Sequence, residues 1–325
     1  MLLEATQANI LRAAEALKQG ECIAFPTETV YGLGANVFDN SAIEKIFKIK
    51  GRPADNPLIV HISSLVEIEK IANLDQKKIL DRLQLLENFW PGPLSVILPK
   101  SSKVSNLVTA GLDTVGVRMP SHPVAIELIK VTGFPLAAPS ANISNYVSPT
   151  TALHVKECLG DKVKFILDGG SSKIGIESTV INLCGDRPKI LRPGSITKEQ
   201  LLDIFPDLEF DDCFSLNTPK ASPGMSAKHY SPRKQVKLLS NIDITKLPKK
   251  TALISFRSQH DSDLQEAFHI ITPLTAHGDL SEAAQRLYST LRNLDKSDVE
   301  LIVIEDCPDT GIGHALQNRL KRACN

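Results

Sequence analysis

Two patterns of apolar residues alternate along residues 7–204. Short runs of consecutive apolar residues are followed by longer segments in which apolar residues recur every three or four positions. The first such segment spans residues 7–19, and Ile10 and Leu17 lie on its apolar face. Thr6 is a suitable N-cap and Gly20 a suitable stop, so the sequence predicts an amphipathic opening helix.

Short apolar runs bounded by turn-forming residues predict β-strands. In the first two thirds of the chain they are ECIAF (21–25), LIVHI (58–62), LSVILP (94–99), VGVRMP (115–120), FILDG (165–169) and STVINL (178–183). Segments with helical spacing lie between and after them, at residues 41–48, 64–72, 76–88, 122–132, 150–159 and 197–204. This alternation predicts an α/β fold in which helices cover a sheet.

Both patterns are lost over residues 207–233, which are rich in polar, Pro and Gly residues and predict a long linker. After the linker, strands are predicted at VKLLS (236–240), TALISF (251–256) and VELIVIED (299–306), with helices at 281–294 and 314–323. These elements are enough for a second, smaller α/β unit. The expected domains are residues 1–210, a linker over 211–233, and residues 234–325.

Composition agrees with two domains and excludes several classes of protein. The chain has 325 residues, more than one ordinary core organises, and no apolar run approaches the roughly 20 residues that span a bilayer. The N-terminus lacks a basic segment followed by a cleavage site, so we expect a cytoplasmic protein without a membrane role. The six cysteines form no CxxC pair, which argues against a zinc ribbon or a dithiol redox site.

Charge is balanced, with 37 Lys and Arg residues against 37 Asp and Glu residues. No overall field therefore draws the chain onto nucleic acid, and an anionic ligand must be held by a local cluster of cations. The clearest such cluster is KIKGRPADNPLIVHI (48–62), where Lys50, Arg52 and Asn56 surround two prolines. Guanidinium and ammonium groups on a constrained loop suit a polyanion, although a solvated basic loop is the alternative. His61 interrupts an apolar strand, so it is either a ligand contact or a core histidine.

Hydroxyl groups and glycines follow the first predicted buried strand in FPTETVYGLGANVF (25–38). Thr29 and the two glycines fall at a strand end, where ligands bind in open α/β sheets, although an ordinary turn has the same composition. The chain contains no GxxxxGK[ST] sequence, so a bound nucleotide would be held without a P-loop. It also lacks HExxH and GxSxG motifs, so covalent catalysis has no obvious nucleophile.

Three further segments place polar residues within or beside predicted strands. Arg118 lies inside a β-patterned run and needs an anionic partner, either a ligand carboxylate or an internal Asp or Glu. Ser140, Asn142 and Ser148 precede a helix whose N-terminus favours anions, although a capped turn has the same composition. The last segment adds the hydroxyl of Ser178 at the start of one predicted strand and the guanidinium of Arg192 at the end of another.

Taken together, several motifs resemble the YrdC/Sua5 family. They are PTETVYGLG, KGRPADNPL, FWPGPLSVIL, GVRMPSHP, APSAN, ESTVI and LRPG, with PGMSAKHYSP in the linker resembling the two-domain Sua5 type. The resemblance covers residues 10–205, the linker and, more loosely, the C-terminal unit. It implies a YrdC-like twisted mixed sheet with flanking helices enclosing a basic cavity, plus a smaller Rossmann-like α/β domain.

The resemblance also implies a reaction. L-threonine captures bicarbonate as a carbamate, and the carbamate oxygen attacks the α-phosphorus of ATP to give L-threonylcarbamoyl-AMP and diphosphate. This is the first step towards N6-threonylcarbamoyladenosine at position 37 of tRNA. Mg²⁺ would arrive with ATP, and threonylcarbamoyl transferase proteins would pass the product to tRNA.

By position, the resemblance implies three sets of site residues. L-threonine would contact Thr29, His61, Arg118, Ala138 and Ser178. ATP would contact Arg52, Asn56, Thr114, Ser140, Ser148, Arg192 and Tyr230. The catalytic set would be Lys50, Arg52, Ser140 and Asn142, with Lys50 and Arg52 neutralising the reacting phosphates. The linker would act as a lid that brings Tyr230 to ATP.

Two alternatives belong to other functional classes. The chain could be an RNA-binding module of the YrdC type without adenylating activity, although its balanced charge counts against this. It could also be a hydrogenase-maturation carbamoyltransferase, but those proteins carry CxxC zinc fingers and this sequence has none.

Overall fold

The computed structural model of the chain describes residues 1–210, 229–258 and 262–324. The first range holds the strands β1 (Leu2–Glu4), β2 (Ile23–Phe25), β3 (Gly32–Asn36), β4 (Ile59–His61), β5 (Leu94–Pro99), β6 (Thr114–Arg118), β7 (Leu136–Ala137), β8 (Phe165–Asp168), β9 (Thr179–Asn182), β10 (Lys189–Arg192) and β11 (Glu209–Phe210). They form one mixed sheet in the order β1-β8-β2-β3-β7-β4-β6-β5-β9-β10-β11.

The later ranges hold a second sheet. Its strands are β12 (Gln235–Leu238), β13 (Thr251–Ser255), β14 (Ile270–Pro273) and β15 (Leu301–Ile304). Their order is β12-β15-β13-β14, and every described pair is parallel. A parallel sheet needs crossover connections, and helices on its faces supply them here.

Helices flank both sheets. The first range contains α1 (Gln7–Lys18), α2 (Asn40–Lys50), α3 (Ile68–Ile71), α4 (Lys77–Gln84), α5 (Asn106–Thr109), α6 (Pro123–Thr132), α7 (Ala152–Leu159) and α8 (Lys198–Leu202). The later ranges contain α9 (Ser262–Ala267), α10 (Leu280–Lys296) and α11 (Gly313–Ala323). None of these described helices has the length and apolarity needed to cross a bilayer.

The predicted α/β class is confirmed, and most elements form where the pattern indicates. The opening helix begins after Thr6, whose hydroxyl accepts a hydrogen bond from the backbone N–H of Asn9 at 3.4 Å. The six apolar runs become β2, β4, β5, β6, β8 and β9. The helix expected over residues 64–72 is wrong in extent, since a 3₁₀ turn at Leu65–Glu67 precedes the four-residue α3. Ser64 makes no side-chain cap there, so the first turn lacks the bond that stabilises an α-helical start.

Apolar side chains cover both faces of the larger sheet. One cluster joins the sheet to α2, α4 and α7 and includes Leu33, Val60 and Val117, all fully buried. A cluster on the other face packs α1 and α6 against the sheet around Phe25 and Leu136. Apolar packing on both faces holds the strands in place. It therefore also positions the strand ends, where the candidate polar residues of the site lie.

The two sheets are joined by a shared apolar cluster. Val30, Val147 and Ile176 from the first range pack with Leu287 and Tyr288 of α10, and all five side chains are at most 6% exposed. Helix α10 therefore docks directly onto the loops that follow β2 and precede β9.

This docking leaves no space for a side chain at Gly175. Its φ is +82°, and a Cβ there would lie 2.4 Å from the Cα of Gln285 and 2.5 Å from the carbonyl oxygen of Ala284, both on α10. Gly170, five residues earlier, has a similar φ of +84° with no heavy atom within 4 Å of a built Cβ.

We predict that Gly175→Ala destabilises the protein clearly more than Gly170→Ala does. Both variants incur the roughly 1 kcal/mol cost of a non-glycine residue at positive φ, but only the first forces two backbones apart. Denaturant unfolding of both variants measures the difference. Equal losses of stability would mean that α10 does not pack closely on this loop.

Candidate active site

A cavity lies where strands of opposite direction meet in the larger sheet. The parallel strands β4 and β6 end at His61 and Arg118, and the neighbouring strands β5 and β9 begin beside them. Space not filled by protein atoms totals about 550 Å³, including the open mouth. The lining residues are Thr27, Thr29, Val30, Tyr31, Gly32, Arg52, Ile59, His61, Arg118, Ala138, Pro139, Ser140, Glu177, Ser178, Arg192, His229 and Tyr230.

Hydroxyl groups line one side of this cavity in hydrogen-bonded pairs. The hydroxyls of Thr27 and Thr29 are 2.8 Å apart, and the Thr27 hydroxyl also donates to the carbonyl of Val30 at 2.6 Å. The hydroxyls of Ser95 and Ser178 are likewise 2.8 Å apart. These pairs fix the rotamers of Thr29 and Ser178, so both hydroxyls are held in place at the wall.

Arg118 has an internal carboxylate partner. Its Nη2 donates to Oε1 of Glu28 at 2.7 Å, and both side chains are less than 10% exposed. The other carboxylate oxygen of Glu28, Oε2, is buried without a hydrogen-bond partner. The second of the two partners predicted for Arg118, an internal Asp or Glu, is thus present, and the guanidinium still lines the cavity.

Two more arginines, Arg52 and Arg192, line the cavity. Nη2 of Arg52 donates to Oδ1 of Asn56 at 2.6 Å and to the carbonyl of Pro57 at 2.8 Å. Arg192 donates through Nε to the carbonyl of Ser178 and through Nη2 to its hydroxyl. Burial lowers the pKa of Arg52 to about 10, with the Arg192 charge adding to the decrease, and burial also lowers the pKa of Arg192. With a pKa of about 10, Arg52 remains cationic at neutral pH.

Lys50 lies behind the cavity wall and is absent from the lining. Its Nζ donates to the backbone carbonyls of Ser140 and Asn142, each at 2.5 Å. The Asn142 amide in turn donates to the carbonyls of Ile143 and Tyr146. Burial, followed by repulsion from Arg52, lowers the pKa of Lys50 well below its usual value. Lys50 and Asn142 therefore brace the loop that carries Ser140.

Three residues predicted to contact ATP lie outside the lining. Thr114 begins β6, at the end opposite Arg118, and lines a separate small pocket with Pro57 and Gly116. Asn56 lies behind Arg52, and the hydroxyl of Ser148 donates to Glu177 at 2.5 Å. The structure brings together the other candidates: Thr29, Arg52, His61, Arg118, Ala138, Ser140, Ser178, Arg192 and Tyr230.

The end of the predicted linker closes one side of the cavity. Tyr230 has a positive φ of 61° and is 1% exposed, and the Ser231 N–H is tied to the carbonyl of Asn145. The hydroxyl of Tyr230 and Nδ1 of His229 are buried, and neither has a hydrogen-bond partner among the described residues. Buried polar atoms of this kind are usually satisfied, so these two are suited to receive a ligand. Residues 211–228 of the expected lid lie outside the described residues.

Glu177 in the cavity lining and Arg319 behind it are among the residues that the sequence analysis did not identify. Glu177 stands next to Ser178 in the segment GIESTVI, where the only available signal was a carboxylate beside a strand-end serine. Arg319, in the C-terminal segment GIGHALQNRLKRA, bonds to Glu177 across 142 positions of sequence, a separation that no local pattern reveals. Burial alone would raise the pKa of Glu177, but the charges of Arg319 and Arg192 outweigh it and hold the pKa below its usual value.

Comparison with known proteins identifies the relatives of the chain. Residues 15–194 match the Sua5/YciO/YrdC family, described as telomere recombination, and residues 196–325 match the threonylcarbamoyl-AMP synthase C-terminal domain. The threonylcarbamoyl-AMP synthases of Pyrococcus abyssi and Bacillus subtilis are 41% and 40% identical, covering 96% and 99% of this chain and 92% and 94% of theirs.

Solved structures agree over the whole chain. P. abyssi Sua5 complexed with L-threonine has a TM-score of 0.88 at 38% identity, covering 100% of this chain and 96% of that chain. A double-alanine variant of the same Sua5, in which an adjacent His and Tyr are replaced, has a TM-score of 0.89 at 36% identity with the same coverage. The chain belongs to the YrdC/Sua5 family. The predicted family and fold are thus confirmed, and the family names describe an enzyme rather than an RNA-binding module.

Two histidines of the Sua5-type cavity are held neutral. Burial, followed by the charge of Arg118, lowers the pKa of His61 to about 3. Burial also lowers the pKa of His229 to about 3. A group whose folded pKa is depressed in this way binds its proton more readily in the unfolded chain. Its contribution to stability is therefore full above the unfolded pKa of roughly 6.5 and is lost as pH falls towards 3.

We predict that His61→Gln reduces the acid sensitivity of the fold. Between pH 6 and 4 the free energy of unfolding of the wild type should fall more steeply than that of the variant, by about 1.4 kcal/mol per pH unit. Urea unfolding at several pH values measures both slopes. Parallel slopes would show that His61 is protonated in the folded protein and that its pKa is not depressed.

Proposed function

We propose that the chain is an L-threonylcarbamoyladenylate synthase, a nucleotidyltransferase that acts on L-threonine, bicarbonate and ATP. The observation that carries the proposal is the cavity itself. Arg52 and Arg192 line it close enough for their charges to interact. Arg118 lines it together with the hydroxyls of Thr29 and Ser178, which are fixed by Thr27 and Ser95. Two anionic ligands, a polyphosphate and an amino-acid carboxylate, fit such an arrangement. The full-length relatives named above support the same activity.

The reaction would proceed in two steps within this cavity. The threonine amine adds to bicarbonate with loss of water, giving a carbamate. A carbamate oxygen then attacks the α-phosphorus of ATP, and diphosphate leaves with the electrons of the broken P–O bond. Transfer at phosphorus depends on positioning and charge neutralisation rather than on a protein nucleophile.

Each side chain has a role that follows from its position. Arg118 donates through Nη2 to Glu28 and through Nε to the carbonyl of Gly92, so the donors of Nη1 would bind the threonine carboxylate. Arg52 and Arg192 would neutralise the phosphates. The unpartnered hydroxyl of Tyr230 would contact ATP and help exclude water from the mixed anhydride. Lys50, predicted to neutralise the reacting phosphates directly, would have to release two carbonyls to do so, whereas positioning Ser140 requires no change.

Mg²⁺ would enter with the nucleotide. Among the described residues, no group of three or more His, Cys, Asp or Glu side chains is arranged as a metal site, and the one lining carboxylate, Glu177, is already bonded on both oxygens. These residues fit an ion held by phosphates and water. Such an ion would neutralise phosphate charge alongside the arginines.

We also propose the cytoplasm as the compartment, with tRNA and threonylcarbamoyl transferase proteins receiving the product.

The proposed reaction makes a direct prediction for the purified protein. Diphosphate release from ATP should require both L-threonine and bicarbonate, because the attacking oxygen belongs to a carbamate built from both. Mass spectrometry of the products should detect L-threonylcarbamoyl-AMP only in the complete mixture. Diphosphate formed equally well without threonine would contradict the proposal, and binding of tRNA without turnover of ATP would favour the RNA-binding alternative.

We further predict that Arg118→Ala weakens the binding of L-threonine far more than the binding of ATP. Loss of one charge-assisted contact should cost about 1.5 to 3 kcal/mol, or roughly 10- to 150-fold in threonine affinity. Calorimetric titration of each ligand separates the two effects.

A second variant controls for the buried charge of Glu28, which loses its partner when Arg118 is replaced. Because Arg118→Ala strands the buried Glu28 carboxylate, Arg118→Ala combined with Glu28→Gln should restore stability without restoring threonine affinity. Equal losses of ATP and threonine binding in both variants would assign Arg118 to structure instead.

A further inference from the structure

Resting on the proposed function, we propose that Arg319 of the C-terminal unit is a positioning residue for the adenylation site. It does not touch the cavity, since it is absent from the lining and only 1% exposed. It acts through the backbone and side chains that carry Ser178 and Arg192. The C-terminal unit would in this way complete the geometry of the site from outside it.

The guanidinium of Arg319 joins the two strands that present these residues. Nε donates to Oε2 of Glu177 at 3.1 Å, and Nη2 donates to the Glu177 carbonyl at 3.3 Å. Nη1 donates to the carbonyl of Pro193 at 2.7 Å. Glu177 directly precedes Ser178, and Pro193 directly follows Arg192. One planar group therefore holds the start of β9 and the end of β10 together.

The strand ends held in this way are the ones whose separation matters for the ligands. Arg192 donates to both the carbonyl and the hydroxyl of Ser178, at 3.1 and 3.0 Å. Gly194 permits this approach, because a Cβ there would lie 2.3 Å from the backbone nitrogen of Thr179. A shift of either strand end would move an ATP contact relative to a threonine contact.

Glu177 connects the Arg319 clamp, meaning the bonds of Arg319 to Glu177 and Pro193, to other parts of the site. Its Oε1 accepts from Ser148 at 2.5 Å, and its Oε2 accepts from the hydroxyl of Tyr288 at 2.9 Å as well as from Arg319. The ring of Tyr230 lies between these groups, 5.8 Å from the Tyr288 ring and 5.4 Å from the Arg319 guanidinium. The residues that hold Glu177 therefore also support the tyrosine that faces the cavity.

Docking of the two units does not require this ion pair. The apolar cluster around Val147, Ile176 and Leu287 already joins them. A buried ion pair is commonly no more stabilising than apolar residues of the same volume, because desolvation offsets the attraction. Three donors directed at three acceptors instead give a defined geometry, which is what a site for two ligands needs.

The test compares Arg319→Met, Glu177→Gln and the double variant in the full chain, with Arg286→Met as the matched control. Arg286 lies on α10, where it bonds to Glu282 and to the carbonyl of Leu274 and is absent from the cavity lining, so its loss should leave activity unchanged and cost little stability. Arg319→Met should lose thermal stability, since it strands a buried carboxylate. The double variant should regain most of that stability.

Activity distinguishes positioning from a purely structural role. We expect the double variant to keep at least a tenfold loss of kcat/KM for ATP, because the bonds to the Glu177 and Pro193 carbonyls are still missing. Recovery of wild-type kcat/KM together with the melting temperature would overturn the proposal.

A readout that is independent of the reaction separates this proposal from the proposed function. Hydrogen–deuterium exchange of peptides covering residues 176–194 should be at least tenfold faster in the double variant than in the wild type or Arg286→Met. Unchanged exchange would show that Arg319 does not hold these strand ends, whatever reaction the protein catalyses. If exchange is faster in the double variant but the wild type releases no diphosphate in response to threonine, the role of Arg319 stands and the proposed synthase activity is wrong.

Discussion

Excess positive charge held out of water is the constraint on which the site depends. The buried cations around the cavity include Lys50, Arg52, Arg118, Arg192 and Arg319, each at most 8% exposed. The buried carboxylates beside them are Glu28 and Glu177. Unpaired charge in a low dielectric is costly, so carbonyls and hydroxyls have to hold the rest. Such a concentration of buried cations among the described residues suits a polyanionic ligand.

The same constraint explains why the second sheet is docked so closely. The charge of Glu177 interacts with that of Arg192, which lines the cavity, and Arg319 from α11 forms an ion pair with Glu177. Arg319 reaches Glu177 in an arrangement in which α10 packs against the loop after β8. This close packing leaves room only for glycine at position 175. The apolar cluster at the interface and the electrostatics of the cavity are thus two aspects of one arrangement.

The sequence predicts the strands that bury a continuous apolar run and the helices with a clear polar face. It does not predict the glycine-containing β3 or the two-residue β7 within the larger sheet, and it also misses the short β1 and β11 at the edges of that sheet. In the second sheet it misses β14, whose residues Ile270–Pro273 are only partly buried. Candidate residues at strand ends, such as His61, Arg118 and Ser178, could be found because parallel and antiparallel neighbours bring those ends together. Their partners could not, since Glu28 and Arg319 lie 90 and 142 positions from the residues they bond.

The segment from Lys50 to Arg52 shows how one residue can divide a motif into two functions. Helix α2 ends at Gly51, which adopts the left-handed conformation with φ of 59°. This turn sends two cations that are two positions apart in different directions, with Lys50 behind the loop of Ser140 and Arg52 at the cavity wall. A residue with a Cβ would resist that conformation, so the glycine between them decides which cation faces the ligand. Spacing alone shows two cations near a strand end, whereas the backbone between them determines that one braces the wall and the other forms it.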